Sequence, residues 1–377
     1  MTTTFAIITT ALRLPAARIL LDSLRRHHPG TPLHILLCES PDRSPQIPVG
    51  GDEPRLTPPE IAPDGWLELA FSFDEIDFPY AMTPHLISFL LQQGYERVIL
   101  LDPDFDCFAP LDRLTAPHTP PLTLLPLVTD PSAIDGRESL GVLLDRGGYH
   151  HGFLVVQNTP GMLTLLRWWQ EAILFDPTPR LLSLFPGMIE TSILRDPSYT
   201  LSHENWRSFH VHGDGDRITT HGAPLHLFRF PPFPGADRSA DLRSSPLAQI
   251  YQRRLDILAR SPDDDRPWSW GFYDSGEPIS PEERRAYRLL DRSVRRSIGN
   301  PFQCGSDPQS PIRARAEEAL AACDATASRQ VAALHRQIED LKERNEMLLS
   351  SLSWRITAPL RILGDHTLPY IIPRGKK

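Results

Sequence analysis

The chain has 377 residues, 40% hydrophobic and 23% charged, the composition of a globular protein with room for one large domain and appendages. A net charge of −8 speaks against a general phosphate-backbone binder, so no nucleic-acid partner is expected. The 4 cysteines include no Cys-x-x-Cys pair, which excludes the usual zinc and disulfide frameworks, and no apolar run reaches the ~18 residues of a membrane span.

Residues 5–9 (Phe-Ala-Ile-Ile-Thr) read as a buried first strand. Pro15 then opens a helix with Ala17, Leu20, Leu21 and Leu24 on its apolar stripe, and Pro29-Gly30 stops it. Residues 33–38 are the next strand, so the chain opens β-α-β, as a nucleotide-binding α/β half requires. There is no Gly-x-Gly-x-x-Gly and no Walker loop, which leaves dinucleotide and P-loop readings without support. Residues 39–63 are a polar, proline-rich loop with room for one short strand, 66–73 read as a strand, and 84–93 are helical.

Next comes Val98-Ile99-Leu100-Leu101, which ends abruptly in Asp102-Pro103-Asp104-Phe105-Asp106. Side chains two apart in an extended chain share a face, so Asp102, Asp104 and by extension Asp106 would converge past a buried strand. Ligands of open α/β sheets bind there. Clustered carboxylates repel unless a cation neutralises them, and hard oxygen ligands suit Mg²⁺ or Mn²⁺. A solvated acidic Asp-Pro turn accounts for the same residues and stays open at this point.

The flanks carry more. Arg97-Val98-Ile99-Leu100-Leu101-Asp102-Pro103-Asp104, followed by Pro110-Leu111-Asp112, resembles the Asp-x-Asp segment of GT-A glycosyltransferases, in particular bacterial enzymes related to glycosyltransferase family 8. Thr9-Thr10 followed by Leu14-Pro15-Ala16-Ala17-Arg18 resembles the family's start, and Thr9 and Thr10 would lie against the nucleotide. The family's Asn-x-Gly-Phe strand is matched at Gly152, with His151 where the asparagine stands. The Trp168-Trp169 pair is similar as well, though Trp169 at helical spacing reads as core. Four positions depart from the pattern: Thr83 for a lysine, His151, Glu190-Thr191 for Asp-Gln in a helical stretch over 181–194, and Arg229 for the metal-binding histidine. With that histidine gone, the metal keeps Asp102, Asp104, water and diphosphate, or Arg229 binds the diphosphate through its fork.

Residues 235–305 resemble the family's post-catalytic extension; Trp268 and Trp270 fit hydrophobic docking better than sugar stacking. Val331, Leu334, Ile338, Leu341, Asn345, Leu348 and Leu352 form a short heptad seam, so residues 331–352 make a homo-oligomer plausible. The string Ser353-Trp354-Arg355-Ile356-Thr357-Ala358-Pro359-Leu360-Arg361 resembles the "SWRxTxPLR" tail of bacterial cell-surface polysaccharide glycosyltransferases. Its apolar and basic residues suit peripheral docking on an anionic membrane or on a partner.

The resemblance therefore implies an α/β GT-A (Rossmann-like) nucleotide-diphospho-sugar transferase domain over 1–235, a helical extension over 236–311, a helix or coiled coil over 312–352 and the tail over 353–377. It implies transfer of a hexose from a nucleotide-sugar to a glycan or lipid-linked glycan acceptor, in lipopolysaccharide or other cell-surface polysaccharide synthesis. The cofactor expected is Mn²⁺ or Mg²⁺, acting as a Lewis acid on Asp102 and Asp104, with Asp104 in direct contact. Thr9, Thr10, Asp102, Gly152 and Arg229 would bind the donor; Glu190 and His151 are the catalytic candidates, with Asp135 and Glu138 behind Glu190. With no signal-peptide pattern at the N-terminus, a cytoplasmic protein is expected, peripheral at the inner face of the membrane through its tail. The competing class is a non-catalytic GT-A-like protein that binds glycan or nucleotide and recruits partners through its coiled coil.

Overall fold

The computed structural model describes residues 2–48, 54–116, 120–129, 136–175, 179–214, 217–233, 240–260, 267–305 and 310–318. The heptad seam, the tail string and Asp135 lie outside these residues, and of Glu138 only the backbone is described.

The apolar runs become a seven-stranded sheet. Its strands are β1 (Thr3–Thr9), β2 (Leu33–Leu37), β3 (Arg55–Leu56), β4 (Arg97–Leu101), β6 (Leu122–Pro126), β7 (Tyr149–Gln157) and β8 (Thr191–Ile193), while β5 (Phe105–Cys107) lies apart. The order across the sheet is β3-β2-β1-β4-β7-β6-β8. Every pairing is parallel except those of β7, which runs against both β4 and β6. The carboxyl ends of β1, β2, β4, β6 and β8 therefore share one edge with the start of β7.

Alternation along β1 explains why the sheet is covered on both faces. Phe5 and Ile7 face the helix Leu14–His27, packing with its Leu20, Leu21 and Leu24. Ala6 and Ile8 belong to the opposite layer, with Leu86 and Leu90 of the helix Thr83–Gln92 and Leu166 and Trp169 of the helix Pro160–Ala172. The latter helix starts where Thr159 accepts a hydrogen bond from the Met162 N–H and Pro160 supplies a preset φ.

Beside the sheet, β5 pairs with β12 (Leu227–Arg229), which sets Arg229 opposite Phe105 and Phe228 opposite Asp106. A small sheet of β9 (Val211–Asp214), β10 (Arg217–Thr220) and β11 (Ala223–Pro224) precedes it. The α/β class expected from the sequence is borne out.

Two expectations about elements are corrected. Residues 66–73 contain a helix, Trp66–Ser72, instead of a strand. Its end is closed by a distant residue: Arg284, nearly fully buried, donates to the Ala70, Phe71 and Phe73 carbonyls at 3.1, 2.9 and 2.6 Å. Residues 181–194 are not one helix. A 3₁₀ stretch over Pro179–Gly187, with Pro186 inside it, gives way to β8, because proline and glycine cannot continue a helix there. Trp268 and Trp270 are 6% and 5% exposed and pack on Phe78, so they dock the extension onto the main core. Among the described residues no helix is long and apolar enough to cross a membrane.

Candidate functional site

The site forms where β4 stops. Asp102 follows the last residue of β4, and its N–H donates to the Gly152 carbonyl at 2.7 Å. The chain then turns tightly: the Phe105 N–H donates to the Asp102 carbonyl at 3.0 Å, and the Asp104 N–H to Asp102 Oδ1 at 2.9 Å. The Phe230 N–H, just past β12, donates to the Asp104 carbonyl at 2.9 Å and ties that strand to the turn.

Asp102 and Asp104 do converge, and a guanidinium lies between them. Arg13 Nη2 is 2.7 Å from Asp102 Oδ1 and 2.9 Å from Asp104 Oδ2, and Nη1 reaches Asp102 Oδ2 at 3.3 Å. Arg13 stands in the loop after β1, directly before the helix Leu14–His27. The loop is beside the turn because β1 and β4 are sheet neighbours. Burial alone would raise the Asp102 pKa, but Arg13 holds it well below the usual carboxylate range. Asp104 goes the other way: burial and the Asp102 charge push it up to about 6 against the pull of Arg13.

Asp106 does not join them. Being in β5 it faces Arg254 of the helix Ala248–Arg260, a side chain 2% exposed that also donates to the Pro103 carbonyl at 2.9 Å. Arg254 thus braces the turn from behind.

At the start of β7 lie His150, His151 and Gly152. A Cβ added at Gly152 would stand 2.3 Å from Asp102 Cβ, so only glycine allows this strand its approach to the carboxylate. The His150 and His151 rings stack with centroids 5.4 Å apart, and Tyr80 meets His151 edge-on. Burial lowers the pKa of both histidines and keeps them neutral near pH 7; the neighbouring arginines add to this and the Asp102 charge opposes it at both rings. Arg13, Tyr80, Thr83, Asp102, His151 and Gly152 line a small cleft.

Arg229 is in β12 and pairs with Glu204, a carboxylate that Arg146 also approaches at 3.7 Å. Burial would raise the Glu204 pKa, but Arg229 brings it down. Arg229 stands opposite Phe105, whose ring meets His150 edge-on at 5.2 Å, so this group borders the same site.

Thr9 and Thr10, at the carboxyl end of β1, are fully buried, and Thr9 Oγ1 donates to the Thr10 carbonyl at 3.1 Å. Glu190 is not brought to the site. It is exposed and precedes Thr191, which pairs with Leu122 at the far end of the sheet, level with Val156 and Val98.

Arg13, Glu204 and Arg254 escaped the sequence reading, as did Glu39, a fully buried carboxylate after β2 that accepts from the Ala11 N–H at 3.0 Å and from Ser269. A signal existed for Arg13. It is the charged residue in the loop after β1, and the expected sheet would bring that loop to β4.

Two carboxylates with hard oxygens, largely buried and held around a positive group, have the chemistry of a Mg²⁺ or Mn²⁺ site. Among the described residues no group of three or more His, Cys, Asp or Glu side chains converges on one point. Further ligands would have to come from phosphate oxygens and water, a common arrangement for Mg²⁺.

No protein-family model and no curated protein matches the chain. Among solved structures it is similar to the galactosyltransferase LgtC, crystallised with donor and acceptor sugar analogues: 13% identity, TM-score 0.41, covering 70% of this chain and 98% of that one. It is similar to the glycosyltransferase GlyE of Streptococcus pneumoniae TIGR4 at 14% identity and TM-score 0.42, covering 70% of this chain and 65% of that one. The bifunctional glycosyltransferase WbbM gives 11% identity and TM-score 0.42, covering 69% of this chain and 50% of that one. No residue role follows from likeness at this level.

Proposed function

We propose that the protein is a GT-A-type glycosyltransferase that moves a sugar from a nucleotide-diphospho-sugar to a hydroxyl acceptor. The observation that carries this reading is the Asp102/Asp104 pair at the carboxyl end of β4, bridged by Arg13 and approached by Gly152. Two carboxylates at the carboxyl end of a central strand, where ligands of open α/β sheets bind, suit a phosphate-bearing ligand and its cation.

In the reaction, the bond from the sugar's anomeric carbon to the diphosphate breaks, its electron pair leaving with the nucleoside diphosphate. The acceptor oxygen forms the new bond to that carbon and gives up its proton. His151, kept neutral by burial and facing the Asp102 charge, is the group that takes the proton. Arg229 orients the diphosphate through its guanidinium fork, and the fully buried Thr9 and Thr10 support the end of β1 from within without touching the donor. Asp102 and Asp104 would hold Mn²⁺ or Mg²⁺, which when bound supplies charge stabilisation to the departing diphosphate. A hexose donor and a cell-surface polysaccharide or lipopolysaccharide acceptor are supported by the Ser353–Arg361 string and the family resemblance.

The test is calorimetric titration of a nucleotide-sugar panel with Mn²⁺, with Mg²⁺ and with EDTA, paired with nucleoside diphosphate release. One donor class should bind and turn over, and Asp104→Ala should lose both. Failure of every donor to bind would sink the proposal; binding without any turnover would favour the non-catalytic class.

A further inference from the structure

We infer that Arg13 is a tethered competitor for the divalent cation: it pairs with both carboxylates until the donor's diphosphate draws it away, so cation and donor enter together. The inference rests on the glycosyl-transfer reading above and adds to it a positioning residue and an order of binding.

The geometry carries the argument. One nitrogen, Arg13 Nη2, lies within 3 Å of a carboxylate oxygen of both Asp102 and Asp104, at 2.7 and 2.9 Å. It sits between the two oxygens where a shared cation would have to bind. Guanidinium and divalent ion cannot both stay there, since each needs the same lone pairs and they repel. The Asp102 carboxylate is spent twice over, by the second Arg13 contact and by the Asp104 N–H. In the absence of donor, a cation must therefore displace three charge-assisted contacts made by a largely buried arginine.

A diphosphate changes the balance. It offers Arg13 new oxygens of the shape its fork matches, and it offers the cation further ligands. Arg13 stands in a loop, directly before a helix, where a side-chain swing leaves the sheet untouched. The arrangement links the two ligands: each favours the state the other needs. Asp106 takes no part, being held by Arg254 on the other side of the turn.

The experiment is Mn²⁺ binding followed by electron paramagnetic resonance on the full chain, first with Mn²⁺ alone and then with a nucleoside diphosphate present. Wild type should bind Mn²⁺ alone weakly and at least tenfold more tightly in the ternary mixture. Arg13→Gln should bind Mn²⁺ alone at least tenfold more tightly than wild type, and adding Asp104→Asn to it should abolish that gain. Arg13→Lys, which keeps the positive charge, should stay near wild type. Arg13→Gln that binds Mn²⁺ no better than wild type overturns the inference. Should that variant not fold, tight binding of Mn²⁺ alone to wild type does the same. The arm with Mn²⁺ alone needs no nucleotide, so a protein that binds no nucleoside diphosphate would refute the glycosyl-transfer reading while Arg13 is still judged on its own.

Discussion

Replacing Gly152 by alanine should damage both stability and the site, through one displaced atom. The new Cβ would lie 2.3 Å from Asp102 Cβ and 3.0 Å from both Asp102 Cγ and His150 Cε1, whereas ordinary contact begins near 3.4 Å. Strand and carboxylate must therefore part by about 1 Å at that point. The Asp102 N–H to Gly152 carbonyl bond, 2.7 Å long, opposes the separation from the backbone side. Overpacking of this kind costs about 1–3 kcal/mol. Each kcal/mol should lower the melting temperature by roughly 2–4 °C in a domain of this size. Moving Asp102 by this distance should also reduce turnover of the donor about 100-fold. Differential scanning calorimetry reads the first effect and nucleoside diphosphate release the second. A variant that melts with wild type and turns over donor at the wild-type rate would refute the steric argument.

Arg254→Ala strands the buried Asp106 carboxylate and should destabilise the protein by about 3–5 kcal/mol, measured by urea unfolding. On the proposed function, in which Arg229 orients the diphosphate, Arg229→Ala should raise the donor Kd by roughly 10- to 100-fold in calorimetry. Glu190→Ala, exposed at the far end of the sheet, should leave donor turnover within about twofold of wild type, because surface changes away from a site have small effects. Burial lowers the His85 pKa from 6.5 to about 4, so the folded protein keeps this ring neutral while the unfolded chain takes up a proton below pH 6.5. Its contribution to stability is therefore full above pH 6.5 and is lost as pH falls toward 4. Wild type should lose urea resistance relative to His85→Gln across that window; parallel curves would contradict the assignment.

The parts of the fold written in local pattern were legible. Phe5 to Ile8 and Val98 to Leu101 declared themselves as strands because both faces of the sheet are covered, which demands unbroken apolar runs. Asp102 and Asp104 were legible because period two puts them on one side past the strand and because their flanks resemble an Asp-x-Asp segment. What escaped depends on neighbours far away in sequence. The helix Trp66–Ser72 is completed by Arg284, and no window around residue 70 contains that information. Asp106 seemed to share a face with Asp104 by period, but β5 pairs with β12 and turns it to Arg254. Glu190 was placed by analogy of order along the chain, and the parallel pairing of β8 with β6 sets it at the wrong edge. Arg13 required knowing that β1 and β4 are adjacent.

The docking of the extension has a consequence for how the chain is made. The Trp268 indole donates to the Cys38 carbonyl at 3.0 Å, Arg284 closes the helix that ends at Ser72, and Ser269 reaches Glu39 beneath the β1 loop. Each of these contacts spans more than 200 residues of sequence. During synthesis the helix Trp66–Ser72 and Phe78 thus leave the ribosome with the extension that packs on them still untranslated. They must wait, at ~5–20 residues per second, for roughly ten seconds or more before Trp268 and Arg284 emerge. Over that interval Phe71, Phe73 and Phe78 have no lid, and they are where a chaperone holding the nascent chain should be found.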